Sequence, residues 1–496
     1  MFLTKSKKPG FDKRIGDVSS LWISQLGAVG IAFVTQLLLA RMLKIEEYGA
    51  FSAAFNITSI LGGVASFGAG QNWLRIFGVE GWNGFRWVRP TIKVNLLIIL
   101  LSVLLVIIVV PILNVSYQTK WLMYMFISTI ITLGLGTSAE AVYQLEEKYK
   151  NLAALKFSIH GMRFAVVIIA LVFGSASLTF IGIGYSFISV LLLIVYVYII
   201  KRLCNKEIDL KGHSYKDITY KKVPNFLETF RCLLPYGSAG IFYLIYFQSN
   251  IFILGNIMGE QSVAIYNVAF TIINVVFLFP TTFYQSYLVP KIHRWGINNE
   301  DKIPLLYEKG TKLVVILGIV IMYAVMMISP FAIPILFGDR YIQSSLLLIL
   351  LCLTIPVRLI CNNLGSILVT EKHVTRKAYY QMIGAIVSIV TNIILIKILG
   401  IYGAPLAIII TELIVTLLFI IGVKKYVPLI KKHHIKNIKS YIYLLILGMT
   451  TGIFYFYIMI NGIAIVLIIV VAILVVASLW WILKLIKSEG FSNIFN

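Results

Sequence analysis

Runs of roughly 20 apolar residues recur along almost the whole chain, each long enough at about 1.5 Å per residue to cross a hydrocarbon layer of about 30 Å. Fourteen are expected: Leu21 to Leu43, Gly49 to Gly70, Val94 to Leu113, Leu122 to Val142, Ala153 to Phe173, Leu178 to Ile200, Leu233 to Leu254, Ala264 to Tyr287, Leu313 to Phe337, Ser345 to Thr370, Ala378 to Ile398, Gly403 to Val423, Tyr441 to Ile460 and Gly462 to Leu485. In hydrocarbon the backbone must satisfy its own hydrogen bonds, so each run is read as a helix. The expected fold is all-α and polytopic. A composition of 59% hydrophobic and 13% charged residues over 496 positions leaves too little polar surface for a soluble multidomain protein. The start, MFLTKSKKPGFDKRIGD, is basic and polar, but the apolar segment behind it runs some 20 residues and lacks a small-residue cleavage site, so it is taken as the first span and not a removable signal.

An internal repeat groups these helices. Shifting the register by 215 residues sets Gly49-x-Phe51-x-x-Ala54-Phe55-x-Ile57 against Ala264-x-Tyr266-x-x-Ala269-Phe270-x-Ile272, with Leu43 on Met258. In each copy an apolar helix ends, a polar corner with Glu46 or Glu260 follows, and a second helix begins with small and aromatic residues. Two related halves in so hydrophobic a chain point to a transporter whose substrate path lies between them. The expected division is a six-helix N-lobe over 1–200, a basic cytoplasmic linker over 201–231, a six-helix C-lobe over 232–425 and two further helices over 426–496.

The net charge of +23 does not predict a nucleic-acid partner, because the basic residues sit in short loops between spans and orient the chain in a bilayer. With a cytoplasmic N-terminus, only Arg41, Lys44, Lys120, Arg340 and Lys397 of the 43 Lys and Arg fall outside, while Arg163 and Arg358 lie within spans. Both termini are then cytoplasmic. The outer loops are too short to hold a folded catalytic domain, and the linker has no phosphate-cradling glycine motif, so neither a surface enzyme nor an ATPase is expected. Cys204, Cys232, Cys352 and Cys361 have neither metal-ligand nor CxxC spacing, and no cofactor or metal is expected.

Ala40-Arg41-x-Leu43-x-x-Glu46-Glu47-Tyr48-Gly49-x-Phe51, the Tyr266-x-x-Ala269 echo, and Leu399-Gly400-x-x-Gly403-Ala404-Pro405-Leu406-Ala407 resemble the Wzx-type polysaccharide biosynthesis flippases of the multidrug/oligosaccharidyl-lipid/polysaccharide superfamily. The resemblance extends over nearly the whole chain. It implies a MATE-like fold, two six-helix lobes in a V with two added C-terminal helices. It also implies an undecaprenyl-diphosphate-linked oligosaccharide as substrate, moved from the inner to the outer leaflet by alternating access. The setting implied is the bacterial cytoplasmic membrane, among its lipids and other polysaccharide-assembly membrane proteins, for O-antigen, capsule or exopolysaccharide.

Charged groups inside spans carry the mechanistic expectations, since an ionised side chain deep in hydrocarbon costs at least about 2.5–3.5 kcal/mol and so faces protein or a wet cavity. Lys156, His160 and Arg163 fall at i, i+4 and i+7, one helical face suited to receiving a lipid diphosphate. The alternative is that Lys156 reaches the interface while Glu140 neutralises His160 or Arg163. On the tenth span, Arg358, Asn362 and Ser366 share a face after the helix-loosening Pro356. Arg358 either lines the cavity or pairs with Glu412 on the twelfth span, and both can hold. Tyr243, Tyr246 and Asn250 on the seventh span, with Gln381, Ser388 and Asn392 on the eleventh and Gln25 and Gln36 on the first, complete the candidate polar faces. Sugar contacts and interhelical glue are both open for them. Asn72 and Arg75 are expected as interfacial anchors, and the glycines of the second and fourth spans as close-packing positions.

Other functions compete. A cation-coupled multidrug exporter of the same superfamily would want an N-lobe membrane carboxylate, which the first span lacks. Glu140 and Glu412 leave H+ or Na+ coupling open. A lipid II flippase differs in which lipid-linked sugar accumulates on deletion. A membrane glycan polymerase or ligase would want the large outer loop that is missing.

Overall fold

The computed structural model describes residues 11–174, 177–210, 222–283, 304, 306–368, 374–426, 438–461 and 473–482. Their regular structure is helical throughout, as a backbone without water partners requires. In chain order the helices are α1 (Phe11–Met42), α2 (Ile45–Ser66), α3 (Ala69–Glu80), α4 (Val88–Val109), α5 (Tyr117–Met125), α6 (Ile127–Leu145), α7 (Tyr149–Val172), α8 (Leu178–Cys204), α9 (Phe226–Met258), α10 (Glu260–Phe283), α11 (Thr311–Phe337), α12 (Gln343–Cys352), α13 (Thr354–Ile367), α14 (Val374–Leu399), α15 (Gly403–Tyr426), α16 (Ile438–Asn461) and α17 (Ile473–Ile482). Among the described residues nine runs are long and apolar enough to cross a bilayer, or eleven with two bent pairs. Two of the nine, Ile45–Ile112 and Thr375–Lys425, each contain two of the spans expected from hydropathy. Most of the expected fourteenth span, the end of the eighth and the middle of the basic linker lie outside the described residues.

The bent pairs correct the expectation of continuous fourth and tenth spans. The tenth is broken at Leu353 into α12 and α13, bent by 40°. Pro356 sits in the first turn of α13, where it cannot donate to the Cys352 carbonyl four residues back and its ring crowds that carbonyl. The fourth span, bent by 41° between α5 and α6, has no proline. There the Met125 carbonyl accepts from Ser186 Oγ of α8 at 2.8 Å and from Ser128 Oγ at 3.2 Å, so side chains enter the helical ladder.

Two compact units emerge. The first comprises the described parts of 1–43, 57–113 and 118–237. In it α1 runs along α7, α6 along α8, and α3 folds against α6. The second span ends earlier than expected. Phe67 and Gly68 take positive φ of 41° and 70°, and α3 follows as a separate amphipathic helix. Gly68 supplies the left-handed residue at little steric cost. At Gly70 a Cβ would strike the Thr137 carbonyl, which supports the close-packing role expected for these glycines. Asn95 Nδ2 donates to the Ala65 carbonyl at 2.6 Å, satisfying one of the carbonyls that the end of α2 leaves without a helical partner. Asn72 is not an interfacial anchor: α3 turns its amide inward, where it is fully buried and accepts from Cys232 Sγ at 3.2 Å. Arg75 donates to the same sulfur at 3.9 Å. On α4, Leu96, Leu100, Leu101, Leu104 and Ile108 remain exposed, the face a lipid tail would cover.

The second unit comprises the described parts of 44–56, 114–117 and 238–496. Here α14 pairs with α15, α13 lies between α11 and α15, and α10 packs on α12. α16 lies on α11 and α12, and Ser478 Oγ of α17 donates to Tyr323 Oη of α11 at 3.1 Å. Lys312, at the start of α11, is buried. It meets Glu308 at 3.2 Å and stands 5.7 Å from the centre of the Tyr441 ring on α16. The helix starts of both repeat copies belong to this unit, α2 beginning at Ile45 and α10 at Glu260. Lys44 N–H donates to Glu47 Oε2 at 3.1 Å, and Ser116 N–H donates to Glu260 Oε1 at 2.7 Å.

Candidate substrate-handling sites

In the first unit the helical spacing of α7 brings Lys156, His160 and Arg163 to one face, all three half-buried. Glu140 of α6 pairs with Lys156, Nζ to Oε2 3.1 Å. That corrects the expected alternative, in which Glu140 neutralised His160 or Arg163. The carboxylate lies one turn nearer the start of α7 than that alternative required. Arg163 sets its guanidinium 5.5 Å from the centre of the Tyr185 ring on α8, a cation–π contact worth about 0.5–2 kcal/mol. Sequence reasoning does not find Tyr185, because nothing local marks it; its position opposite α7 comes only from the α7–α8 hairpin.

The second unit builds its cluster around Arg358. Its side chain is 2% exposed, and Nη1 donates to Glu412 Oε1 across the α13–α15 contact. Nη2 donates to Tyr243 Oη, and Nη1 also reaches Tyr246 Oη at 3.5 Å. Four rings surround the guanidinium, with Phe247 at 4.0 Å, Tyr243 at 5.1 Å, Phe277 at 5.4 Å and Tyr246 at 5.8 Å to their centres. Tyr243, Tyr246 and Phe247 occur at i, i+3 and i+4 of α9 and so share a face; that spacing was the available signal for Phe247. Phe277, from α10, had none. A buried ion pair of this kind is stable only when its remaining bonds are supplied, as the two tyrosine hydroxyls do.

The other candidates lie around this cluster without joining it. Asn250 Nδ2 donates to Tyr266 Oη. Ser388 Oγ donates to the Tyr246 carbonyl at 3.0 Å, and Asn392 Nδ2 donates to the Ser388 carbonyl at 2.8 Å. The first ties α9 to α10, the second ties α14 to α9, and the third lies within α14. Gln381 is buried with no partner for Oε1, and Asn362 has none for Nδ2, among the described residues. No cluster of three or more His, Cys, Asp or Glu able to hold a metal occurs among them either.

The arrangement resembles known transporters. A lipid II flippase, MurJ in its inward closed conformation, aligns with a TM-score of 0.66 at 15% identity, covering 94% of this chain and 99% of that one. The MATE multidrug transporter DinF-BH aligns at 0.63 and 13% identity, covering 85% and 97%. A MOP superfamily transporter from Pyrococcus furiosus aligns at 0.59 and 12%, covering 84% and 96%. No curated protein matches the sequence. The fold is thus MATE-like, built on helices long and apolar enough to cross a membrane. The family of polysaccharide biosynthesis proteins matches residues 15–295 and the MatE family residues 235–394. The chain belongs to the polysaccharide biosynthesis protein family.

Proposed function

We propose that the chain flips an undecaprenyl-diphosphate-linked oligosaccharide from the cytoplasmic to the outer leaflet for surface polysaccharide assembly. The observation that carries this reading is the half-buried cationic face of α7, along which Lys156, His160 and Arg163 rise in order, with the Arg163 guanidinium set beside an aromatic ring. A ring contact engages the flat face of a guanidinium, whereas phosphate oxygens are met in its plane by the forked N–H edge, so the two modes of binding are compatible. Lys156, anchored by Glu140, and His160 lead to Arg163 along the same face. Tyr243, Tyr246, Asn250, Asn362, Gln381 and Asn392 are proposed to contact the glycan as the C-lobe rearranges, with Glu412 the group through which an H+ would act. The lobes are proposed over 1–200 and 232–425, joined by the basic linker 201–231. The site of action is proposed as the bacterial cytoplasmic membrane, with both termini inside, as the bias of Lys and Arg toward one set of loops supports.

Arg163→Ala is expected to reduce glycan export about tenfold or more, equivalent to ~1.4 kcal/mol or more, with membrane abundance unchanged. Arg163→Lys keeps the charge without the fork and is expected to fall between. The lipid-linked glycan that accumulates in a deletion strain is to be identified by mass spectrometry. An accumulated diphosphate-linked repeat unit supports the proposal, an accumulated lipid II replaces it, and full complementation by Arg163→Ala removes the cationic face from the mechanism.

A further inference from the structure

The repeat makes a geometric statement about one polar contact. Asn267 Nδ2 of α10 donates to Ser52 Oγ at 3.0 Å and to Tyr48 Oη at 2.9 Å, both on α2. Ser52 and Asn267 are separated by 215 residues, the same register that sets Gly49 on Ala264 and Phe51 on Tyr266. Equivalent positions of two repeats related by a pseudo-twofold axis lie equally far from it, so they touch only where the axis passes between them. This pair therefore marks the axis at the level of the α2 and α10 helix starts.

The surroundings are suited to a contact that opens and closes. The first turns of α2 carry Gly49, Ala50, Ser52, Ala53 and Ala54, those of α10 carry Ala264 and Ala269, and a Cβ on Gly49 would strike the Glu260 carbonyl. Small residues at such a contact let the two backbones approach closely, beside the buried aromatics Tyr48, Phe51 and Tyr266. The specific bonds across the contact are neutral, and such bonds are individually weak within membranes. Tyr48 is fixed on the other side by an edge-on contact with Tyr341, 6.2 Å between ring centres, so its hydroxyl is aimed and not wandering.

We infer that Tyr48, Ser52 and Asn267 form a latch on the pseudo-twofold axis, broken and remade as α2 parts from α10 in each transport cycle. The inference rests on the proposed transport reading for its cycle, but the labelling arm of its test does not need the substrate to be known. In a background with the four native cysteines replaced, the pair Ser52→Cys and Asn267→Cys is oxidised in membranes. A disulfide is expected, with export arrested and then restored by reductant at unchanged abundance. Separately, Asn267→Ala is expected to raise labelling of Ser52→Cys by an impermeant maleimide at least threefold in either right-side-out or inside-out vesicles. Which vesicle responds reports the orientation of this corner. Failure of the disulfide to form overturns the contact. Undiminished export with the disulfide in place, or labelling unchanged in both vesicle types, overturns the latch. If export of the diphosphate-linked glycan proves not to be the activity, the labelling result alone decides the latch and the flippase reading falls separately.

Discussion

Arg358→Ala is expected to be the most destabilising single change in the second unit, by about 3–5 kcal/mol, because it leaves Glu412 buried without its ion-pair partner. Glu412 is 1% exposed, its Oε2 has no partner among the described residues, and its Oε1 bond is to the guanidinium that the substitution removes. The Tyr243 hydroxyl loses its acceptor role in the same step, adding the cost of a second buried polar group. Removing both charges reverses most of this. Arg358→Met with Glu412→Leu fills similar volume with apolar atoms among Tyr243, Phe247 and Phe277, and buried pairs replaced in this way commonly return to about the parent stability or above. The unfolding midpoint of detergent-purified protein, followed by fluorescence-detected chromatography, checks both variants. The double variant also separates two roles, since a stable protein that no longer exports would assign the pair to the transport cycle, and one that exports normally would assign it to holding α13 on α15. If Arg358→Ala is as stable as the parent, the pair is not buried as described.

Much of this was legible locally and some was not. The repeat corner was readable because helix ends leave signatures in sequence: the apolar run stops at Met42 and again at Met258, and acidic residues open the following helix. The Arg358–Glu412 pair was one of two readings the sequence offered, since two opposite charges inside spans have few other places to go. Pro356 marked a place where the tenth span would loosen, though not that it would break there. The equal bend in the fourth was silent, because its cause is Ser186, 61 residues away, bonding the Met125 carbonyl. Asn72 misled for a related reason. Hydropathy falls after Gly70, which reads as an exit from the membrane, but the positive φ at Phe67 and Gly68 folds α3 back onto α6 and carries the amide inside. The partner of Glu140 was uncertain from sequence because Lys156, His160 and Arg163 are spaced along one face, and only the axial offset of α6 and α7 selects Lys156.

Gly49→Val is expected to cost about 3 kcal/mol, the upper end for overpacking, because the atom its Cβ would meet is the Glu260 backbone carbonyl and not a side chain able to turn aside. The repeat supplies an internal control. Ala264 stands at the equivalent position, fully buried, so a Cβ is tolerated on one side of the pseudo-twofold contact and excluded on the other. Two Cβ groups at this crossing would hold α2 and α10 apart at the level of the Asn267 bonds to Tyr48 and Ser52. Gly49→Ala is accordingly expected to destabilise less than Gly49→Val, and Ala264→Gly is expected to recover part of what Gly49→Ala loses only if the helices can shift along one another into the vacated space. Unfolding midpoints of the three variants and of the Gly49→Ala, Ala264→Gly pair measure this directly. A Gly49→Val protein as stable as its parent would mean that the two corners do not meet as they do here, and the axis would have to be placed elsewhere.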